Sequence, residues 1–340
     1  MRNSLRVLLT GGMGYIGSHI ALELLRHGHY PVIVDNLTTS EISTLDALRL
    51  VSGENIPFYE VDIANSAELK KILILEKIDF VIHAAASKNP KESISNSLSY
   101  YDNNVAKFIA LLSVMNEVNV KRIIFSSSAA IYASTPEPIT EEGRLAPINP
   151  YASTKVMCEK IIGDLAAEDS GWRIGIARYF NPAGADESGQ IGELVDGELP
   201  NIFPRICECA SRNNKFIIYG GDYETKDGTA LRDYVHISDL ALGHIRLMEL
   251  LASNSSDKNE LIINFGSGHG YTVLEVLHEF SHALGKKIEY EVAGRRDGDI
   301  AISCASINKA KTELNWFPKR NLRDMCRDSL KQYAMRNNEE

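Results

Sequence analysis

Tyr151 and Lys155 stand four residues apart in the run Asn149-Pro150-Tyr151-Ala152-Ser153-Thr154-Lys155, downstream of the serine triplet Ser126-Ser127-Ser128. On a helix that separation puts both side chains on one face, about 6 Å apart along the axis. A phenol beside an ammonium group is a way of making a general base from a group otherwise too weak. Free tyrosine titrates near ~10, so poising it near ~7 takes roughly 4 kcal/mol of preference for the phenolate. One cation at ~4 Å contributes on that order at an effective dielectric of ~20, and a second cation would add to it. Tyrosine and lysine at helical spacing are also common on solvated helix faces, so the pair takes its meaning from what surrounds it.

The N-terminus supplies that context. Residues 5–10 form a short apolar run, the pattern of a buried strand. Gly11-Gly12-Met13-Gly14-Tyr15-Ile16-Gly17 follows at once, and residues 18–27 read as a helix with apolar Ile20, Leu24 and Leu25. Gly11, Gly14 and Gly17 allow a tight turn, close approach of a pyrophosphate and close helix–strand packing. The helix N-terminus would meet the phosphates with N–H groups and the positive end of its dipole. A second apolar run over residues 32–35 ends on Asp35, where an acid binds a ribose 2′-hydroxyl. Strand, glycine loop, helix, strand and acid in this order predict a dinucleotide site. A carboxylate repels a 2′-phosphate and no basic residue follows until Arg49, which favours NAD over NADP. The positive nicotinamide ring of NAD⁺ is then the second cation that helps acidify Tyr151.

The elements that must position these groups continue the alternation. Residues 58–63 and 80–86 read as strands, residues 105–116 as a helix, and residues 122–125 as a strand ending on the serine triplet. Groups at strand C-termini are where an open parallel sheet places its ligands. The fold class predicted is α/β, a Rossmann-type doubly wound parallel sheet with a smaller mixed α/β substrate domain. After Tyr179 the rhythm changes and Gly- and Pro-containing loops dominate residues 181–204. The domain change is therefore placed near residue 180: residues 1–180 for NAD, residues 181–340 mainly for substrate, with some later segments returning to the first domain.

A net charge of −9 argues against a nucleic-acid surface, so an anionic substrate would be met by locally placed arginines. No apolar stretch is long enough to span a bilayer, and the N-terminus passes directly into the first strand, so neither a membrane partner nor a secretory signal is expected. The five cysteines, Cys158, Cys207, Cys209, Cys304 and Cys326, form no zinc-like double pair, and Cys207-x-Cys209 has the wrong spacing for a redox pair. A reduced, cytoplasmic protein without a metal is expected.

Together the motifs resemble the extended short-chain dehydrogenase/reductases and, within them, the UDP-hexose 4-epimerase family. The resemblance is carried by Thr10 through His19, Val34-Asp35-Asn36-Leu37, Tyr100-Tyr101-Asp102-Asn103-Asn104, the serine triplet and Arg178-Tyr179-Phe180-Asn181-Pro182. It continues through Arg232-Asp233-Tyr234-Val235-His236, Arg295-Arg296-Asp297-Gly298-Asp299 and Leu314-Asn315-Trp316, and so covers nearly the whole chain. It implies NAD-dependent inversion at C4 of UDP-glucose and UDP-galactose through a transient 4-keto sugar. Tyr151 would take the 4-hydroxyl proton, Ser128 would hydrogen-bond the same oxygen, and Lys155 would hold the nicotinamide ribose and stabilise the phenolate.

The same resemblance implies cofactor contacts at Gly11, Gly14, Tyr15, Ile16, Gly17, Asp35, Asn36, Asp62, Ile63, Lys88, Asn103 and Phe180, beside Tyr151 and Lys155. It implies UDP-sugar contacts at Ser128, Asn181, Asn201, Tyr219, Arg232, Arg296, Asp299 and Ser303. Singly, Arg232 and Arg296 read as surface ion pairs with Asp233 or Asp297, whereas guanidinium forks suit phosphate oxygens. Ser303, four residues after Asp299, would lie beside the sugar 2-substituent, and its small side chain would leave room for UDP-N-acetylglucosamine and UDP-N-acetylgalactosamine. Family members often associate as helix-mediated homodimers. The segment Ala84-Ala85-Ala86-Ser87-Lys88 lacks the aromatic and glycine that many members carry there. The rival readings are a nucleotide-sugar 4,6-dehydratase or decarboxylase on the same scaffold, and a non-catalytic NAD-sensing regulator. A dehydratase needs an acid pair after the serines, where this chain has Ala129-Ala130, and a sensor would not need to keep both Tyr151 and Lys155.

Overall fold

The first apolar runs of the chain are completely buried: Val7, Leu8, Leu9, Val32, Ile33, Val34, Phe80, Val81 and Ile82 are all inaccessible. Strands of this kind belong to a parallel sheet covered on both faces. The computed structural model describes residues 4–194, 201–253, 259–296 and 298–337. In chain order, β1 (Arg6–Thr10) leads through the glycine loop into α1 (Tyr15–Arg26), then β2 (Tyr30–Asp35), α2 (Ser43–Ser52), β3 (Phe58–Glu60) and α3 (Ser66–Leu75). After β4 (Phe80–His83) come α4 (Pro90–Ser95), α5 (Ser97–Tyr101), a π-helical turn at Asp102–Ala106 and α6 (Lys107–Glu117). β5 (Arg122–Ser128), α7 (Pro150–Glu168), β6 (Arg173–Tyr179), β7 (Asn181–Ala183), α8 (Ile202–Ser211), β8 (Phe216–Tyr219) and β9 (Leu231–His236) follow. The chain continues with α9 (Ile237–Ala252), β10 (Glu260–Phe265), β11 (Gly270–Thr272), α10 (Val273–Leu284) and β12 (Tyr290–Ala293). It closes with β13 (Ile302–Ser303), α11 (Asn308–Leu314) and α12 (Leu322–Asn337).

These elements form two compact units. The first comprises Met1–Ile131, Leu145–Arg178 and Ala241–Ile263. Among the described residues its sheet runs β10-β6-β5-β4-β1-β2-β3, with β1 parallel to both β2 and β4. The strand order reverses beside β1, so the crevice beyond the C-terminal ends of β1 and β4 is the place for a ligand. Phe108, Phe125, Trp172 and the sheet aliphatics fill its core. The second unit comprises Tyr132–Arg144, Tyr179–Leu240 and Asn264–Glu340. In it β9 is flanked by antiparallel β11 and parallel β13 and β7, while β8 pairs with β12. Phe203 meets Tyr234 and Phe280 edge-to-face at 5.4 and 5.2 Å in its core.

Several boundaries differ from the sequence expectation for local reasons. The strand expected over 58–63 stops at Glu60, because Asp62 accepts the Ala64 N–H at 2.9 Å and turns the chain. The strand expected over 80–86 stops at His83, one residue before the Ala84 N–H makes its last bond to Thr10. The strand expected to end before the serine triplet includes it. The helix expected from residue 105 begins earlier, and its π-turn is a feature the hydrophobic period does not reveal.

Candidate active site

α7 begins with Asn149 as N-cap, its Oδ1 accepting the Ala152 N–H at 2.8 Å, and Pro150 in the first turn. Tyr151, Lys155 and Glu159 then recur every fourth residue along one helix face. Three consecutive residues of β5 meet that face. The Ser128 hydroxyl is hydrogen-bonded to Tyr151. The Ser126 carbonyl accepts from Lys155 Nζ at 2.8 Å, and the Ser127 hydroxyl donates to Glu159. Arg178 of β6 completes the group through bonds to both Glu159 oxygens at 3.0 and 2.6 Å.

Burial pushes the Tyr151 phenol above its ordinary value, and the Ser128 hydrogen bond works in the other direction. Lys155 Nζ is 5.0 Å from the Phe125 ring centroid and 5.8 Å from that of Tyr151. One of its three ammonium protons goes to the Ser126 carbonyl, which leaves two for other partners on the Tyr151 side. Burial pulls Lys155 down to about 8, against the raising influence of Cys158 and Glu159. Lys155 is therefore protonated at neutral pH with little to spare.

The glycine loop lies at the same C-terminal sheet edge. Gly11 has φ +71°, and an added Cβ would come within 2.6 Å of Ala85 N; a Cβ on Gly17 would stand 2.1 Å from Gly11 O. Gly14 is different, with φ −76° and only Gly11 O within reach of a Cβ, at 3.4 Å. The protein's own packing does not demand glycine there, whereas a pyrophosphate approaching the backbone does. No side chain caps α1 at Gly14 and its first turn carries no acid, so the positive end of the helix dipole is not offset there. The half-buried Tyr15 and Ile16 form that first turn. The arrangement fits a dinucleotide.

Asp35 is nearly buried and already accepts from Met13 N–H, Leu37 N–H and the Ser40 hydroxyl at 3.0, 3.0 and 2.9 Å. Of a carboxylate's roughly four acceptor positions, about one is left for a ribose hydroxyl. Asn36 donates to Asp62 at 2.9 Å, and Lys107, from the first turn of α6, reaches the same oxygen at 2.7 Å. Burial would raise Asp62, but the bonds from Lys107, Ala64 and Asn36 hold it below the usual carboxylate range. Ile63 is buried beside it. No basic residue follows Asp35 in sequence until Arg49, but α6 brings Lys107 to Asp62, which neutralises it. Asn103 bonds Ser87 Oγ at 3.2 Å, and Asn104 clamps Ser87 N–H and carbonyl at 2.8 and 3.0 Å while reaching Thr154 of α7. Lys88 is exposed next to Ser87 in that loop. The parts played by Lys107, Asn104 and Glu159 were not expected from the sequence. Asn104 was marked only as the last residue of the Tyr100–Asn104 motif, and Glu159 only by its spacing from Lys155, one turn further on the same face.

In the second unit, Arg296 lies 4.8 Å over the Tyr219 ring and is forked onto Asp299 at 2.9 and 3.4 Å. Arg205, in α8, also faces that ring at 5.6 Å. Arg232 bonds the Leu231 and Ala301 carbonyls at 2.9 and 3.4 Å. Burial lowers its guanidinium from the ordinary value, and Arg296 adds to this while Asp299 opposes it. The ion pair of Arg232 with Asp233 that its position suggests is absent among the described residues. Asp233 instead accepts from Ser267, Gly268 and Ala305 N–H groups and the Ser267 hydroxyl. Asp297 lies outside the described residues. Ser303 is the register partner of Arg232 and is 6% exposed. Asn181 opens β7 opposite Tyr234, and Phe180 is buried and bonds Phe265 O at 3.0 Å. Tyr219, Arg232, Arg296 and Asp299 thus converge, while Asn201, the N-cap residue of α8, donates to Glu193 at 2.6 Å.

A family model described as "NAD dependent epimerase/dehydratase family" matches residues 7–266. The UDP-glucose 4-epimerase of Bacillus subtilis is 42% identical over 327 residues, covering 95% of each chain. A bifunctional protein, GAL10 of Pachysolen tannophilus, is 42% identical over 328 residues, and the chain spans about half of its length (48%). Among solved structures, a UDP-glucose 4-epimerase from Stenotrophomonas maltophila with bound NAD and formylated UDP-arabinopyranose superposes with a TM-score of 0.96 at 37% identity. The match covers 99% of this chain and 100% of that one.

Proposed function

Since the chain belongs to the NAD dependent epimerase/dehydratase family, we propose that it is an NAD-dependent 4-epimerase interconverting UDP-glucose and UDP-galactose. The observation that carries the proposal is the docking of Tyr151, Lys155 and Ser128 at the same sheet edge as the glycine loop and Asp35. When bound, NAD⁺ would supply reversible hydride acceptance for C4 of the sugar. Tyr151 takes the 4-hydroxyl proton and returns it after the keto sugar has turned. Ser128 holds the same oxygen in line with the phenol, and Lys155 holds the nicotinamide ribose. Gly11, Gly14, Tyr15, Ile16 and Gly17 cradle the pyrophosphate, Asp35 and Asn36 hold the adenosine ribose, and Asp62 and Ile63 cover the adenine. Lys88, Asn103 and Phe180 complete the cofactor contacts.

In this reading residues 1–180 serve the cofactor and residues 181–340 mainly the UDP-sugar. Arg232 and Arg296 grip the diphosphate, Tyr219 packs near uracil, Asp299 accepts from a ribose hydroxyl, and Asn181 and Asn201 add polar contacts. A firm grip on the nucleotide leaves the sugar able to turn, as inversion requires. The small Ser303 admits a 2-acetamido group, so UDP-N-acetylglucosamine and UDP-N-acetylgalactosamine are substrates too. The exposed apolar side chains of Ile94, Leu98, Ile109 and Met157 on α4 to α7 support a homodimer through these helices. No described helix is long and apolar enough to cross a membrane, which agrees with the cytoplasmic location we propose.

The test is proton NMR of purified protein with NAD⁺ and each of the four UDP-sugars, alongside Tyr151→Phe. Interconversion within each pair is expected, with a loss of at least ~100-fold in the variant, the scale of a positioned acid–base group. Stoichiometric NADH with released keto sugar would indicate a dehydrogenase instead. Light scattering decides the homodimer.

A further inference from the structure

Glu159 and Arg178 have side chains only 7% and 4% exposed, and no step of the proposed reaction uses them. We propose that Glu159 is a positioning residue for the Tyr151–Lys155 pair, locked by Ser127 and Arg178 so that α7 docks on β5 in a single register. What that register serves rests on the epimerase reading.

A buried ion pair is a poor source of stability, because desolvating both charges offsets most of their attraction. What it provides is direction. Arg178 Nε and a terminal nitrogen take one Glu159 oxygen each, at 3.0 and 2.6 Å, and the Ser127 hydroxyl takes a third acceptor position. Three donors from two strands therefore fix one carboxylate, where apolar contact alone would let a helix slide. The same strand carries the other two contacts: Ser126 O to Lys155 and Ser128 to Tyr151. Side chains at 151, 155 and 159 move as one rigid face, so a shift that breaks Ser127–Glu159 also draws Tyr151 from Ser128 and Lys155 from Ser126. A misplacement of about 1 Å costs roughly 100-fold in rate at a reacting centre.

The charges are arranged to the same end. Lys155 is faced by Tyr151, Cys158 and Glu159 on α7 and by His83 on β4, with Arg178 of β6 behind Glu159. Burial drives His83 down to about 3 and Cys158 up to about 12, so both are neutral, and Tyr151 is raised as well. Glu159 is the acid among these groups that favours the ammonium form of Lys155.

The test compares wild type, Ser127→Ala and the charge-free double variant Glu159→Gln/Arg178→Met, which leaves no lone buried charge behind. Each is measured as folded holoenzyme for NAD content, melting temperature, and kcat and KM for UDP-galactose between pH 6 and pH 10. Ser127→Ala is expected to keep NAD and KM while losing about tenfold in kcat, part of the ~100-fold that full misplacement costs. The double variant is expected to lose kcat similarly at unchanged KM. Because it removes the Glu159 charge together with the Arg178 charge behind it, the alkaline limb of kcat should stay close to that of wild type. Wild-type kcat across the pH range in both variants overturns the proposal. So does a Ser127→Ala protein whose only change is a lower melting temperature, or one that fails to fold, since the group would then be a stability element. An inactive wild type would instead refute the epimerase reading itself.

Discussion

Gly14→Ala and Gly17→Ala place the same methyl three residues apart and are expected to fail in opposite ways. At Gly17 the new Cβ would stand 2.1 Å from Gly11 O and 2.7 Å from Gly12 Cα, so backbone must move against backbone. Overpacking of this kind costs about 2–3 kcal/mol, which for a domain of this size lowers the melting temperature by roughly 4–12 °C. At Gly14 the φ is −76° and the nearest atom to a Cβ is Gly11 O at 3.4 Å, an ordinary contact. The fold should lose no more than ~1 kcal/mol, the difference between glycine and alanine at an N-cap. The methyl would however stand where the pyrophosphate must approach α1. Losing that approach is expected to raise the NAD dissociation constant at least tenfold, or about 1.4 kcal/mol. The assay is isothermal titration of cofactor-stripped protein with NAD⁺, paired with thermal melts without it. A Gly14→Ala protein that binds NAD⁺ like wild type, or a Gly17→Ala protein with an unchanged melting temperature, would refute the reasoning.

Lys107→Met should weaken NAD⁺ binding several-fold by titration, because Asp62 loses its strongest charged partner; the scale is that of one charge-assisted hydrogen bond, about 1.5–3 kcal/mol at most. An unchanged affinity would remove Lys107 from the adenosine site. Ser303→Tyr is expected to abolish turnover of the two acetylated sugars by NMR while sparing UDP-glucose and UDP-galactose, since the added ring fills a buried position opposite Arg232; equal losses on both classes would count against it. Turnover should fall as pH rises through about 8, where Lys155 gives up the proton that burial already loosens. A kcat that stays flat to pH 10 would show that the ammonium form is not required. Asp233→Asn should destabilise the protein by about 2–4 kcal/mol in a denaturant melt, because an amide nitrogen would face N–H groups that now share one carboxylate; a melt within error of wild type would be the contrary result.

The local signals in the chain were strong where one element makes the site by itself. The four-residue spacing was enough to put Tyr151 and Lys155 on one face, as α7 does. The glycine loop between two buried strands was legible for the same reason, since its geometry depends on neighbours in sequence. What depended on partners remote in sequence was hidden. Lys107 reaches Asp62 from 45 residues away, and nothing local marks either for the other. Arg232 next to Asp233 read as an ion pair, yet successive strand residues point to opposite faces, and Asp233 turned to the backbone of residues 267, 268 and 305. The π-turn that sets Asn103 and Asn104 on Ser87 escaped because an extra residue in one turn leaves no trace in the apolar period.

Asp35 has a bearing on any attempt to re-engineer coenzyme preference. A direct route to NADP is to trade the acid at the end of the second strand for a small or basic residue. In this chain that acid also anchors Met13 N–H in the glycine loop, together with Leu37 N–H and the Ser40 hydroxyl. Removing it to admit a 2′-phosphate would release the loop that must hold the pyrophosphate, so the gain at one end of the dinucleotide is offset at its middle. A switch here calls for compensating anchors for Met13 and Ser40 before the carboxylate is touched.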